Sequence, residues 1–192
     1  MQQELDFDAL VDALIDREGG YVSNPADTGG ATCFGITEAV ARAHGYRGPM
    51  RLLPRSTAES IYYRQYMVAP GYEPLIALDA PVAAELFDTT VNMGADRPSR
   101  WFEKSTNELC GSRLAIDGKV GPFAIATYRV CQANLGATRL CVAMLNSLDA
   151  KQAAEYRRLV AVKPQLGRFL KGWLANRIGN VDRRDCARAV RS

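Results

Sequence analysis

The stretch Arg17-Glu18-Gly19-Gly20-Tyr21, with the run that follows it to Thr37, decides how this chain is read. Upstream, Leu5, Phe7, Leu10, Val11, Leu14 and Ile15 recur at helical steps, with Asp6, Asp8, Asp12 and Asp16 between them. That pattern predicts an amphipathic helix over 5–17. The paired glycines end helix propensity, so Glu18 falls in the last turn. There the helix dipole disfavours a carboxylate anion, and burial would disfavour it further. Both effects raise a carboxyl pKa, as a general acid near neutral pH requires. On this fragment alone, a solvent-exposed Glu ahead of a helix cap is the plain alternative.

Asn24-Pro25 and Asp27-Thr28-Gly29-Gly30 are strong chain breakers, and Cys33-Phe34-Gly35-Ile36 reads as a short strand. Residues 21–36 therefore form a small β-rich lobe, followed by Thr37 as the N-cap of a helix reaching His44. If the lobe doubles back, Asp27 returns to the cleft beside Glu18; as a turn residue it would do no chemistry.

The remainder reads as helices. Ser56 with Glu59 has capping-box spacing and opens a helix to about Val68, whose Ile61, Tyr62, Tyr63, Tyr66 and Met67 form a core stripe. Asp79-Ala80-Pro81 starts a helix over 80–93, nearly uncharged after Glu85 and Asp88 and expected to be the central buried one. Asn92, near its end, reads first as an internal hydrogen-bonding residue and second as a substrate contact. Helices are further predicted over Pro98–Leu109, from Pro122 to about Leu135, from Ala137 to about Val162, and over Gln165–Ile178. The Arg-rich tail from Val181 is expected to be loosely ordered. The fold class is α+β, predominantly helical.

The chain has 192 residues, enough for one domain or one with a small appendage. No apolar run approaches the ~20 residues of a bilayer span, so stable membrane insertion is not expected. Residues 1–20 carry six carboxylates against Arg17, the reverse of a secretory leader, so delivery outside the cytoplasm is expected to need another route. Five cysteines lack any C-x-x-C pair and His44 is the single histidine. Zinc sites and Ser-His or Cys-His hydrolysis are disfavoured, no metal or cofactor is expected, and the cysteines are expected to be reduced and mostly buried. From Lys163 to Ser192, eight Lys/Arg face only Asp182 and Asp185, so the C-terminal end suits an anionic partner, or is a solvated helix face.

Glu18-Gly19-Gly20-Tyr21, Asn24-Pro25, Asp27, Gly29-Gly30-Ala31-Thr32 and Phe34-Gly35-Ile36-Thr37 together resemble the signature of glycoside hydrolase family 108. Val91-Asn92-Met93-Gly94, the Asp117-Gly118…Gly121-Pro122 loop and Arg168-Phe169-Leu170-Lys171-Gly172-Trp173-Leu174 are similar to later parts of that family, in the same order. The resemblance implies a lysozyme-like fold with a small β-rich lobe after the first helix. It implies cleavage of the β-1,4 bond between N-acetylmuramic acid and N-acetylglucosamine in peptidoglycan, with Glu18 as the acid. Asp27 is the candidate second catalytic group, and Tyr21, Thr32, Thr37 and Asn92 are candidate substrate contacts. The implied division is a catalytic region 1–110 and a helical, peptidoglycan-binding region 111–192 expected to pack on it as one compact unit. The expected partner is the glycan strand, with no nucleic acid; the protein would be a monomer acting on the wall after release by a holin or transporter. A lytic transglycosylase and a non-catalytic wall-binding accessory protein are the alternatives.

Overall fold

The computed structural model describes residues 11, 12, 15, 16, 20–22 and 31–188. The chain divides into two compact units, 1–68 and 69–192. That cut falls well before the boundary between 110 and 111 that the sequence suggests for function.

In the first unit, Val11 and Ile15 lie one turn apart on helical backbone and are 3% and 1% exposed. Asp12 and Asp16 share the neighbouring face, where Arg55 reaches both, Nη2 to Asp12 Oδ1 at 2.7 Å and Nη1 to Asp16 Oδ1 at 2.8 Å. The other residues of the expected first helix lie outside the described residues. Strands β1 (Thr32–Cys33) and β2 (Ile36–Thr37) pair antiparallel, Thr32 opposite Thr37 and Cys33 opposite Ile36. The two residues between them, Phe34 and Gly35, have φ of 53° and 71°. Positive φ at both central positions is the twist that a two-residue hairpin needs. Phe34 bears this without a glycine's freedom, and Tyr62 Oη donates to its carbonyl at 2.8 Å, holding the turn.

Helix α1 (Glu38–Ala43) starts where the sequence places it: Thr37 accepts from Val40 N at 3.3 Å. A 3-10 turn, Met50–Leu52, leads to α2 (Arg55–Tyr63). This helix begins at Arg55 behind Pro54, without a side-chain cap, so the predicted capping box at Ser56 does not form. Pro54 supplies a fixed φ, and Ser56 is already inside the first turn. The expected single helix to Val68 is α-helical only to Tyr63; Arg64–Val68 widens into a π-turn. Of the predicted stripe, Ile61, Tyr62 and Met67 are core, while Tyr63 and Tyr66 are only half-buried.

In the second unit, α3 (Glu73–Leu78) precedes α4 (Ala80–Met93), α5 (Asp96–Cys110), α6 (Pro122–Leu135), α7 (Ala137–Val162), α8 (Gly167–Arg177) and the short α9 (Asp185–Arg188). Helix α4 packs on α5 and α7 and is buried along nearly its whole first three turns, in agreement with its low charge. Leu140, Met144, Leu145 and Leu148 of α7 are at most 3% exposed, and Phe102 packs against Tyr128 with ring centroids 5.2 Å apart. Each such side chain contributes on the order of 2 kcal/mol by leaving water.

Two expectations fail here. The cysteines are not all reduced: Cys110 is joined to Cys131 and Cys141 to Cys186, and Cys33 alone is free and buried. Wide sequence spacing hid partners that helix packing brings together. The tail is not loose between Val181 and Arg188: Arg183 pairs with Asp149, Arg184 with Asp182, and Cys186 anchors α9 to α7.

Candidate functional site

Glu18 and Asp27, the two predicted catalytic carboxylates, lie outside the described residues. What surrounds them in sequence is described. Val22 forms an antiparallel bridge with Thr32, Val22 N to Thr32 O at 2.9 Å and Thr32 N to Val22 O at 2.8 Å. The chain points at 22 and 32 are therefore side by side, and β1 lies between Val22 and β2. Tyr21 is next to this bridge and 48% exposed. Thr32 is half-buried and its hydroxyl reaches the Val22 carbonyl at 3.5 Å. Thr37 sits opposite Thr32 and uses its oxygen to cap α1. The structure thus gathers Thr32 and Thr37 on one small sheet, with Tyr21 beside the Val22 bridge at its edge. Cys33 points the other way, 4% exposed, with burial raising its thiol pKa.

Asn92 belongs to the second unit. Its amide donates to the Asp88 carbonyl at 2.7 Å and lies 3.4 Å from the Asp88 carboxylate, the internal role that the sequence favours. Asp88 also receives Arg177 Nη1 at 2.9 Å and Asn180 Nδ2 at 3.1 Å.

Sequence reasoning missed a set of buried acids in the second unit. Glu85, on α4, is 1% exposed; Thr89 Oγ1 donates to its Oε1 at 3.2 Å, and Oε2 has no partner. Burial, with Asp149 and Asp88 nearby, pushes its pKa up to about 8. Asp149, on α7, holds Gly179 N at 3.0 Å and Arg183 through Oδ2, and its Oδ1 is unpartnered. Asp79 is pushed up to about 6 by burial, against the Tyr128 hydroxyl that donates to it at 2.7 Å. Glu103, also raised by burial, accepts from Gly118 N at 3.0 Å and Lys119 N at 3.3 Å, and so fixes the Asp117–Pro122 loop from below. One signal was available: a lone Glu or Asp on the apolar face of a helix. Among the described residues no group of three or more His, Cys, Asp or Glu is arranged to hold a metal ion. No helix among them is long and apolar enough to cross a membrane.

The small sheet and the helical majority define a predominantly helical α+β architecture of the lysozyme-like kind. Residues 11–94 match the family described as Glycosyl hydrolase 108, and residues 97–178 match a Predicted Peptidoglycan domain. The structure of Brucella abortus SagA superposes with a TM-score of 0.63 at 25% identity, over 97% of this chain and 96% of that one. No curated protein matches the chain. Together these matches support, broadly, a peptidoglycan hydrolase whose residues 11–94 resemble glycoside hydrolase family 108.

Proposed function

We propose that the protein is an N-acetylmuramidase that cleaves the β-1,4 bond between N-acetylmuramic acid and N-acetylglucosamine, with Glu18 as general acid. The observation that carries this is the family match over 11–94, which contains Glu18-Gly19-Gly20-Tyr21. Neutral Glu18 gives its proton to the glycosidic oxygen as the bond breaks, and the sugar develops oxocarbenium character. Asp27 holds a water against the opposite face or meets the developing charge. A carboxyl separation of about 6.5–9.5 Å corresponds to inversion and one near ~5 Å to retention. Tyr21, Thr32 and Thr37 line the sugar-binding side from the small sheet, and Asn92 is a contact only if it releases Asp88.

Region 1–110 carries the chemistry and 111–192 holds the wall. The chain works as a monomer, made in the cytoplasm and released through a holin or transporter to the wall. Two disulfides fit an oxidising compartment. Turbidity of purified sacculi, followed by mass spectrometry of the products, tests the reading. Reducing-end muramic acid supports it. Reducing-end glucosamine or anhydro-muramic products replace it with a glucosaminidase or a lytic transglycosylase, and no products leaves only a wall-binding protein.

A further inference from the structure

Helix α8 lies on α7 with none of its residues buried, an unusual state for a helix carrying Phe169 and Trp173. Those two rings, one turn apart, stack at 5.9 Å, and Trp173 stacks in turn on Tyr156 of α7 at 5.1 Å. Phe169 remains 43% exposed, and the Arg168 guanidinium lies over its ring, 4.6 Å from the centroid. This contact restrains the guanidinium before any ligand arrives, while Arg168 stays exposed and its N–H donors remain available. Lys171 is exposed three residues on, the spacing of neighbours on a helix surface. Neither Arg168 nor Lys171 makes an ion pair among the described residues, although Arg158 and Arg177, close by in sequence, do.

Gly172 completes the surface. It sits in the helix interior, where glycine costs roughly 1 kcal/mol against alanine. A Cβ there would meet nothing within 4 Å, so packing does not require its absence. Residues 168 and 172 are four apart and share a face, so the missing side chain leaves bare backbone beside the stacked guanidinium. The whole C-terminal end, from Lys163, carries eight cations against two carboxylates.

We propose that the Arg168–Lys171 face of α8 is a binding site for the carboxylates of peptidoglycan, with Arg168 taking one carboxylate bidentately and Lys171 a neighbouring one. This rests on the reading of the chain as a wall hydrolase and names the surface through which it grips the strand. Phe169 is a positioning residue that acts through Arg168. The charge complementarity is to carboxylates on a fixed polymer, since the stem peptides supply them along the strand.

The test is co-sedimentation of the full, oxidised chain with purified sacculi over a salt series. Four variants are compared with the parent: Arg168→Gln with Lys171→Gln, Phe169→Ala, Phe169→Trp, and Gly172→Ala. The double variant is expected to bind about tenfold more weakly or worse, with a shallower salt slope and an unchanged melting temperature. Phe169→Ala is expected to fall between, and Phe169→Trp to recover. Sacculi amidated with a carbodiimide should hold the parent no better than native sacculi hold the double variant. Equal pelleting of parent and double variant overturns the proposal. So does tighter binding of the parent to phosphatidylglycerol vesicles or to duplex DNA than to sacculi. If every protein pellets alike yet lysis persists, this inference fails and the hydrolase reading stands. If lysis is absent while pelleting follows the expected order, the reverse holds.

Discussion

Replacing Glu85 by glutamine should make the second unit more stable, and increasingly so as pH rises. The wild-type carboxyl is 1% exposed, and burial beside Asp149 and Asp88 raises its pKa from 4.5 to about 8. Arg183, which holds Asp149, also acts on it, and Arg177 holds Asp88. A carboxyl with a raised native pKa binds its proton more tightly folded than unfolded. Its stabilising protonation is complete below about pH 4.5 and is lost as pH climbs through about 8. At about 1.4 kcal/mol per pH unit, the full interval corresponds to a loss of up to about 5 kcal/mol. Glutamine keeps the shape and cannot ionise. Both tryptophans, Trp101 and Trp173, lie in the second unit, so their fluorescence during urea denaturation reports this unit. The expected result is a near-equal pair of curves at about pH 5 and a variant ahead by several kcal/mol near pH 8–9. A variant less stable than wild type by the same amount at every pH would mean that Glu85 is an ordinary ionised group in a satisfied network.

Alkylation after denaturation without reductant should add one label, on Cys33, and with reductant five; five without reductant would dismiss both disulfides. Reduction should lower stability by about 3 kcal/mol for the 21-residue separation and about 4 for the 45-residue one, read from the same fluorescence transition. Gly71→Ala should cost about 3 kcal/mol or more: φ is +88° and the new Cβ would stand 2.1 Å from the Val120 carbonyl oxygen. A loss under about 1 kcal/mol would mean the Asp117–Pro122 loop yields. Thr37→Ala should cost about 1 kcal/mol and Thr37→Ser little, measured as the midpoint of far-UV unfolding; equal losses would remove the cap from the account.

Helices were legible wherever one face was apolar and a breaker stood at each end. Pro81 and Pro122 opened helices, and Gly94 and Gly136 closed them, because proline and left-handed glycine impose the backbone whatever surrounds them. The Thr37 cap was legible for the same local reason. Ser56 misled because Pro54, two residues earlier, already fixed the start of the helix. The disulfides and the Arg183–Asp149 latch were invisible, since each joins residues that only packing brings together. Of the site, the sequence singled out the motif around Glu18 and the Tyr21–Thr37 sheet, while the acids that strain the second unit fell silently among apolar neighbours. Lys163 to Ser192 was read as one basic region. The structure sorts it, with Arg177, Arg183 and Arg184 consumed by internal pairs and Arg168 and Lys171 left facing solvent.

The most direct measurement is the release of reducing ends from purified sacculi by the parent chain and by Glu18→Gln, side by side at one protein concentration. The expected result is that the parent releases reducing-end muramic acid and clears the suspension. The variant should release essentially none while still co-sedimenting with the wall. Release by Glu18→Gln at a rate near the parent's would contradict it.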